Sequence, residues 1–235
     1  MLLIDLYLGG DLGKWVLATV PAESIGMVFT REQSIASLAF SVGLKATLAD
    51  PNTSDFAASQ VGFSVHYQRI LKRHTIGKYR TIYNLHPGYL PWGRGYYPAF
   101  WALWEGTPAG ATLHEISEGV DEGPIVAQLG VEYSPDDTGG TLHQRIREAE
   151  KKLFLEYWPR MQSGENFPVR PQPADSGSYH SRKEFFELKQ SANAKEMAGR
   201  DLIKLIRCLT FPGYSGLEIE LGKNRVEIHL EPLSP

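Results

Sequence analysis

The densest chemistry in the chain lies in residues 83–98, Tyr-Asn-Leu-His-Pro-Gly-Tyr-Leu-Pro-Trp-Gly-Arg-Gly-Tyr-Tyr-Pro. Asn84 and His86 stand two apart, so on a strand both side chains project from one face. A polar pair in that position is costly unless it is used or satisfied, and an imidazole can move a proton near neutral pH. Pro87 follows, and the chain must leave the sheet there. The carboxyl ends of strands are the usual ligand crevice of open α/β sheets. Taken alone, Asn-x-His reads as a hydrogen-bonded structural pair. A second cluster, Gly119-Val120-Asp121-Glu122-Gly123-Pro124, sets two carboxylates between two glycines. One of them can orient or charge His86; an acidic turn is the plain alternative. Spacing alone leaves open whether Asp121 and His86 meet.

Other groups are less specific. Arg94-Gly95 after Pro91 can grip a phosphate or carboxylate, or sit solvated. Gly9-Gly10-Asp11-Leu12-Gly13-Lys14 resembles a phosphate-cradling turn. It fits neither the P-loop spacing nor the dinucleotide fingerprint, so a strand-to-helix turn is expected. His66, His114, His143 and His229 lack metal-ligand spacing, and no metal is expected. Cys208 is the one cysteine. Flanked by Leu205, Ile206 and Leu209, it reads as a core residue and fits a reducing compartment.

The elements that must position these residues follow from periodicity. Residues 2–8, 26–29, 60–67 and 81–86 read as strands, with 110–116 and 124–133 as two more around the loop 117–123. Thr30 and Gln33 have capping-box spacing ahead of Ile35, Leu38 and Val42. Little chain separates Pro51 from the strand near Phe63, so that crossover helix must be short or missing. Pro98 opens a helix over 99–105. Thr141 and Gln144 are a second capping-box pair, and Leu142, Ile146, Ala149, Leu153 and Tyr157 mark one face of a long helix stopping at Pro159. Strands alternating with helices predict an α/β fold, a mostly parallel twisted sheet with helices on both faces. Residues 163–178, rich in Gly, Pro and Ser, read as a linker. A small C-terminal appendage over 179–235 then carries a helix, capped by Asn193 and Glu196 and reaching Leu209. A β-hairpin, 217–221 with 226–230 across Gly222-Lys223-Asn224, closes it. The hairpin reads equally as a satellite on its own domain or as a contact joining two chains.

The 235 residues, 42% hydrophobic and 22% charged, suffice for a real core and exclude disorder. At ~100–200 residues per domain the chain is one domain, or one with an appendage. The net charge of −3 argues against nucleic acid as a partner. No apolar run approaches the ~18 residues of a membrane span, and the first residues lack a basic start, so a soluble cytoplasmic protein is expected.

Taken together, these residues resemble the formyltetrahydrofolate-dependent formyltransferases, most closely those acting on nucleotide-linked amino sugars. The family pattern stands here as Asn84, His86-Pro87, Leu90-Pro91, Arg94-Gly95, Pro98, Trp101-Ala102, then Gly119, Asp121 and Gly123-Pro124-Ile125. The resemblance spans roughly residues 1–160, a domain-sized unit. It implies a Rossmann-like formyltransferase domain over 1–162, with 10-formyltetrahydrofolate as co-substrate. It implies Asn84, His86 and Asp121 as catalytic triad. Gln68, Arg69, Ile70 and Leu71, with Ser117, Gly119 and Val120 opposite, would then hold the pterin ring. Gly88-Tyr89 replaces the commoner Ser-Leu, and Tyr96-Tyr97 fills the slot after Arg-Gly.

The C-terminal third must choose the acceptor. Residues 178–183 and 209–214 resemble tails of sugar N-formyltransferases, which implies a dTDP- or UDP-linked deoxyamino sugar, made for surface glycans. On this reading Arg94, Gly95, Tyr97, Tyr179, Arg182, Lys183, Phe211 and Tyr214 contact the substrate. Arg182 and Lys183 can meet a diphosphate, and Phe211 or Tyr214 can stack on a base; a solvated basic pair and core aromatics are equally open. The expected assembly is a homodimer. Glycinamide ribonucleotide and methionyl-tRNA formyltransferases are the alternatives, as are a formyltetrahydrofolate hydrolase and a folate-binding protein without turnover.

Overall fold

The computed structural model describes residues 2–191, 197–214 and 216–231. Asn193 and Glu196, the expected caps of a C-terminal helix, lie outside them. In chain order the elements are β1 (Ile4–Leu8), α1 (Gly10–Thr19), β2 (Ile25–Thr30), α2 (Gln33–Ser41), β3 (Ala46–Thr47), β4 (Val61–Val65), α3 (Arg73–Ile76) and β5 (Thr81–His86). Then come β6 (Arg94–Gly95), α4 (Pro98–Glu105), β7 (Ala109–Glu115), β8 (Ile125–Val131), α5 (Gly139–Gln162), β9 (Tyr179–His180), α6 (Arg182–Ser191), α7 (Gly199–Leu209), β10 (Leu217–Leu221) and β11 (Asn224–Ile228).

Seven strands form one sheet in the order β3-β2-β1-β4-β5-β7-β8. From β3 to β5 every pair is parallel, and β7 joins β5 antiparallel. The fold is therefore the mostly parallel α/β arrangement expected. β1 and β4 are buried at every residue, as strands covered on both faces must be. No described helix is long and apolar enough to cross a membrane.

The chain divides into two compact units. The first comprises Met1–His86, Thr112–Gln128 and Glu150–Gln172; the second comprises Pro87–Ala111, Leu129–Ala149 and Pro173–Pro235. These boundaries differ from a cut at residues 162 and 178. Residues 165–172 stay with the first unit because Ile125 and Arg170 exchange backbone hydrogen bonds of 2.7 and 2.8 Å. Residues 87–111 go with the C-terminal segments because one apolar cluster joins α4, the start of α5, α7 and β10, through Phe100, Leu103, Ile146, Leu205 and Leu217. Cys208 is wholly buried in that cluster, and burial pushes its thiol up to about 11.

Several local expectations change. Thr30 ends β2 instead of capping α2: its Oγ1 accepts from the Glu32 N–H. Helix α5 begins two residues before Thr141, and the Thr138 Oγ1 accepts from the Thr141 N–H in its place. Pro159 does not stop α5, which runs on to Gln162. A proline removes one bond, to the carbonyl four residues earlier; Leu155 is half exposed, so that carbonyl lies on the solvent side. The crossover between β3 and β4 has no helix, as expected. Asp50 turns it instead, its carboxylate accepting from Asn52 N–H and its carbonyl from Thr53 and Ser54 N–H.

One buried carboxylate ties the first unit together. Asp5, on β1, accepts from Met27 N–H at 2.9 Å, Ser59 N–H at 2.9 Å, Ser59 Oγ at 2.7 Å and Tyr79 Oη at 3.0 Å. Tyr7 Oη in turn donates to Tyr79 Oη at 2.9 Å, and burial raises both phenols. Four donors from β2, the β3–β4 crossover and the segment before β5 thus converge on one side chain. Asp5→Ala orphans them and is expected to destabilise the protein by about 2–4 kcal/mol in urea unfolding, with its m-value unchanged.

Candidate active site

The site grows from the one antiparallel pairing in the main β1–β5 and β7 ladder. In the β5–β7 register Asn84 lies opposite His114 and His86 opposite Thr112, so these side chains share a face. Asn84 Nδ2 donates to His114 Nε2 at 3.1 Å, while His114 Nδ1 donates to the Glu115 carbonyl at 2.8 Å. That pattern requires the neutral imidazole with its proton on Nδ1. Burial, opposed by the Asp121 carboxylate, pushes His114 down to about 4, which keeps it neutral.

Asp121 arrives from the loop before β8. Its Oδ2 lies 3.6 Å from His86 Nδ1, and its Oδ1 lies 3.7 Å from His114 Nε2. The two imidazoles are 6.2 Å apart and nearly perpendicular. His86 is 4% exposed, so its environment magnifies any charge that Asp121 brings. Asp121 itself has φ = 54°, a left-handed backbone that Asp tolerates better than most residues. Asn84, His86 and Asp121 are therefore brought together, and His114 is a fourth member that linear spacing does not reveal.

Two segments flank this cluster in the same unit. After β4, Gln68 and Ile70 are exposed, Arg69 is half-buried and Leu71 is buried. The carboxamide of Asn52 bonds both sides of Leu71: Nδ2 donates to the Ile70 carbonyl at 3.0 Å, and Oδ1 accepts from the Lys72 N–H at 2.8 Å. Groups of residues i−1 and i+1 share an edge only where the chain is extended. The N–H and C=O of Leu71 therefore face the other edge, offering a donor and an acceptor side by side. That edge suits a planar heterocycle with a complementary donor–acceptor pair. Arg69 is further held by Asp50 at 3.0 Å, and the Asn52 N–H together with Arg69 holds the Asp50 carboxyl below its ordinary range. Across from it, Ser117, Gly119 and Val120 are half-buried, and Arg73 pairs with Glu118 at 3.3 Å between the two segments.

The residues expected to meet an acceptor all lie in the second unit. Arg94 and Gly95 pair as β6 with Tyr179 and His180 as β9, a two-residue parallel ladder. Gly95 has φ = 88°, and a Cβ there would strike the His180 carbonyl. Tyr97, at φ = 60°, packs on Phe185 with ring centroids 4.2 Å apart. Arg182 lies over the Phe186 ring at 5.4 Å, and Lys183 pairs with Glu187 at 3.5 Å, all on α6. Phe211 instead packs where a Cβ on Gly139 would be, beside His143, while Tyr214 is 77% exposed. Phe211 is half-buried, between the solvated and core places the sequence left open.

The glycine turn after β1 holds no phosphate cradle. The Gly10 N–H at the start of α1 donates to Glu32 Oε1 at 2.6 Å, so a carboxylate of the chain already occupies that helix terminus. Among the described residues no group of three or more His, Cys, Asp and Glu is placed to hold a metal ion.

The neutral, buried His114 makes stability depend on pH with a definite sign. Its folded value lies below the ordinary 6.5, so the unfolded chain binds the extra proton first. The full contribution is present above about pH 6.5 and fades as pH falls towards 4, by roughly 3 kcal/mol. Urea unfolding from pH 8 to pH 4.5 is expected to show that loss, and His114→Gln to flatten it.

The formyl transferase family model matches residues 30–157, more than half of the chain. The dTDP-4-amino-4,6-dideoxyglucose formyltransferase of Mycobacterium tuberculosis H37Rv is 30% identical over 156 residues. That alignment spans 65% of each chain, so just under two thirds of the curated relative's length is matched. Among solved structures, a 4-N formyltransferase from Francisella tularensis superposes with a TM-score of 0.82 at 21% identity, over 100% of this chain and 99% of that one. The formyltransferase PseJ from Anoxybacillus kamchatkensis, solved with UDP-4,6-dideoxy-4-formamido-L-AltNAc and tetrahydrofolate, is 29% identical with a TM-score of 0.59, covering 76% of this chain and 96% of that one. With Asn84, His86 and Asp121 gathered at one strand end and more than half its length matched, the chain belongs to the formyl transferase family.

Proposed function

We propose that the protein transfers the formyl group of 10-formyltetrahydrofolate to the amino group of a dTDP- or UDP-linked deoxyamino sugar. The observation that carries this reading is the convergence of Asn84, His86 and Asp121, with Asn84 held by His114, at the carboxyl end of β5. The acceptor class is supported by a relative named for a dTDP-linked amino sugar and by a neighbour solved with a UDP-linked formamido sugar and tetrahydrofolate.

The chemistry follows from the residue types. The sugar amine attacks the formyl carbon, and negative charge gathers on the formyl oxygen. One hydrogen of Asn84 Nδ2 goes to His114, which aims the second at the oxyanion. His86, with Asp121 beside it, supplies a second donor. Asp121, directly or through water, takes the proton that the amine loses as the new C–N bond forms. The bond from the formyl carbon to N10 then breaks, N10 takes up a proton, and the formamide and tetrahydrofolate leave.

The pterin is assigned to Gln68, Arg69, Ile70 and Leu71, with Ser117, Gly119 and Val120 opposite; the fit rests on the Leu71 edge that faces away from Asn52. The sugar nucleotide is assigned to Arg94, Gly95, Tyr97, Tyr179, Arg182 and Lys183, with exposed Tyr214 offering a ring for the base. The working form is a cytoplasmic homodimer that binds neither nucleic acid nor membrane.

Incubation with 10-formyltetrahydrofolate and a panel of dTDP- and UDP-amino sugars is expected to give one product heavier by a formyl group. Turnover of glycinamide ribonucleotide alone, or formate release without any amine, would sink the assignment. Asn84→Ala is expected to lower kcat ~10²–10³-fold, the usual cost of one oxyanion donor, and His86→Asn more.

A further inference from the structure

The Gly- and Pro-rich stretch after α5 reads from sequence as a linker, yet its first part is tied into the catalytic loop. Arg170 exchanges backbone hydrogen bonds with Ile125, and its guanidinium bonds the Gln128 carboxamide. Two residues on, Gln172 Nε2 donates to the Asp121 carbonyl at 2.7 Å and to the Gly123 carbonyl at 2.8 Å. An NH₂ group has two hydrogens, and both go to the carbonyls that bracket Glu122. The opposite amide orientation would set an oxygen against two carbonyl oxygens, so the pattern fixes it.

What Gln172 grips is the strained part of the loop. Asp121 sits at φ = 54°, and a Cβ at Gly123 would strike the Glu115 carbonyl, so the chain there follows one narrow path. Given that path, two side-chain torsions decide where the Asp121 carboxylate lies between His86 and His114. Gln172 Oε1, meanwhile, is buried with no partner among the described residues. A side chain serving packing alone would gain by losing that oxygen, since an unpaired buried acceptor is unfavourable. Its retention points to the two N–H donors.

We propose that Gln172 is a positioning residue for the Asp121 carboxylate, acting through the backbone of residues 121–123. This rests on the proposed formyl transfer, in which Asp121 receives the amine's proton. Released from Gln172, the loop relaxes from its left-handed turn and the carboxylate drifts from the two imidazoles, while the residues around Leu71 are untouched. The chemical step suffers and folate binding does not.

The test uses Gln172→Met, which keeps the shape and removes both donors. Amide hydrogen exchange over residues 118–123 is expected to quicken about tenfold or more with the rest of the chain unchanged. Steady-state kinetics are expected to show kcat down about tenfold, with KM for 10-formyltetrahydrofolate and for the amino sugar within twofold. Unchanged exchange overturns the clamp; quickened exchange with wild-type kcat, or a loss confined to KM, overturns its role in positioning. Should Gln172→Met fail to fold, Gln172→Glu, which gives at most one hydrogen, is read against the same two measurements. A wild-type enzyme that turns over no formyl donor defeats the proposed function instead, and shows this before any variant is made.

Discussion

A neutral imidazole is the constraint on which the site turns. His114 is 2% exposed and can keep only one proton, because burial outweighs the pull of Asp121. With that proton on Nδ1 and committed to the Glu115 carbonyl, Nε2 must accept, and the carboxamide that donates to it is that of Asn84. Were His114 charged, both nitrogens would donate and the Asn84 amide would turn its oxygen inward, removing the donor that the proposed reaction needs. His86 meets the other oxygen of the same carboxylate, its Nδ1 3.6 Å from Asp121 Oδ2. The antiparallel course of β7 makes this possible, since it sets Asn84 and His114 directly opposite each other. Two histidines within 6.2 Å of one another thus take different roles from their surroundings alone.

The loops around this cluster are held by amides rather than by packed helices. The crossover before β4 carries no helix, and a shortened crossover would ordinarily weaken the pocket beside it. Here the crossover compensates through Asn52, which bonds Ile70 and Lys72, and whose Oδ1 also accepts from Thr75 Oγ1 at 3.0 Å. On the other side Gln172 bonds Asp121 and Gly123. In each case one planar side chain bonds two backbone groups of a loop, and at Leu71 it leaves the N–H and C=O facing the opposite edge. Such edges are pre-set before a ligand arrives, which lowers the ordering cost of binding.

What could be read from the sequence was whatever is local or periodic. The parallel strands announce themselves as apolar runs, and the two-residue spacing of Asn84 and His86 places them on one face before any fold is known. The His114 contribution was out of reach because it depends on the antiparallel register between β5 and β7, and a linear chain does not display register. Gln172 was hidden for a similar reason: glycines and prolines around it suggest slack chain, whereas its two hydrogen bonds are to residues some fifty positions earlier. The β6–β9 ladder is only two residues long, too short for any alternation to signal it. Capping shows the opposite case. Ser181-x-x-Glu184 carries the capping-box pattern and forms the reciprocal pair, at 2.6 and 3.1 Å, whereas Thr30 and Thr141 carry the pattern and do not cap. Of these three patterns one caps its helix, and strand length at Thr30 and a neighbouring threonine at Thr141 decide against the other two.

The charges near α1 bear on the choice of acceptor. A helix that starts after a glycine turn at the end of β1 is a natural seat for a phosphate. In this chain the first amide of α1 is taken by Glu32, and Asp11 stands in the first turn. Two carboxylates at the positive end of a helix repel an anionic acceptor in the very place where its phosphate would otherwise be drawn. A phosphate-bearing acceptor must then find its cations elsewhere, and the cations among the residues assigned to the sugar nucleotide are Arg94, Arg182 and Lys183. Of these, Arg182 and Lys183 are exposed at the start of α6, where the Ser181–Glu184 box takes the amides of Ser181 and Glu184 and sets a carboxylate in the first turn. A diphosphate bound there would therefore be held by side-chain charge more than by the helix itself. Side-chain charge at an exposed position is screened by salt, so the acceptor's KM should rise with ionic strength while that of the folate, assigned to the Leu71 backbone edge, should not.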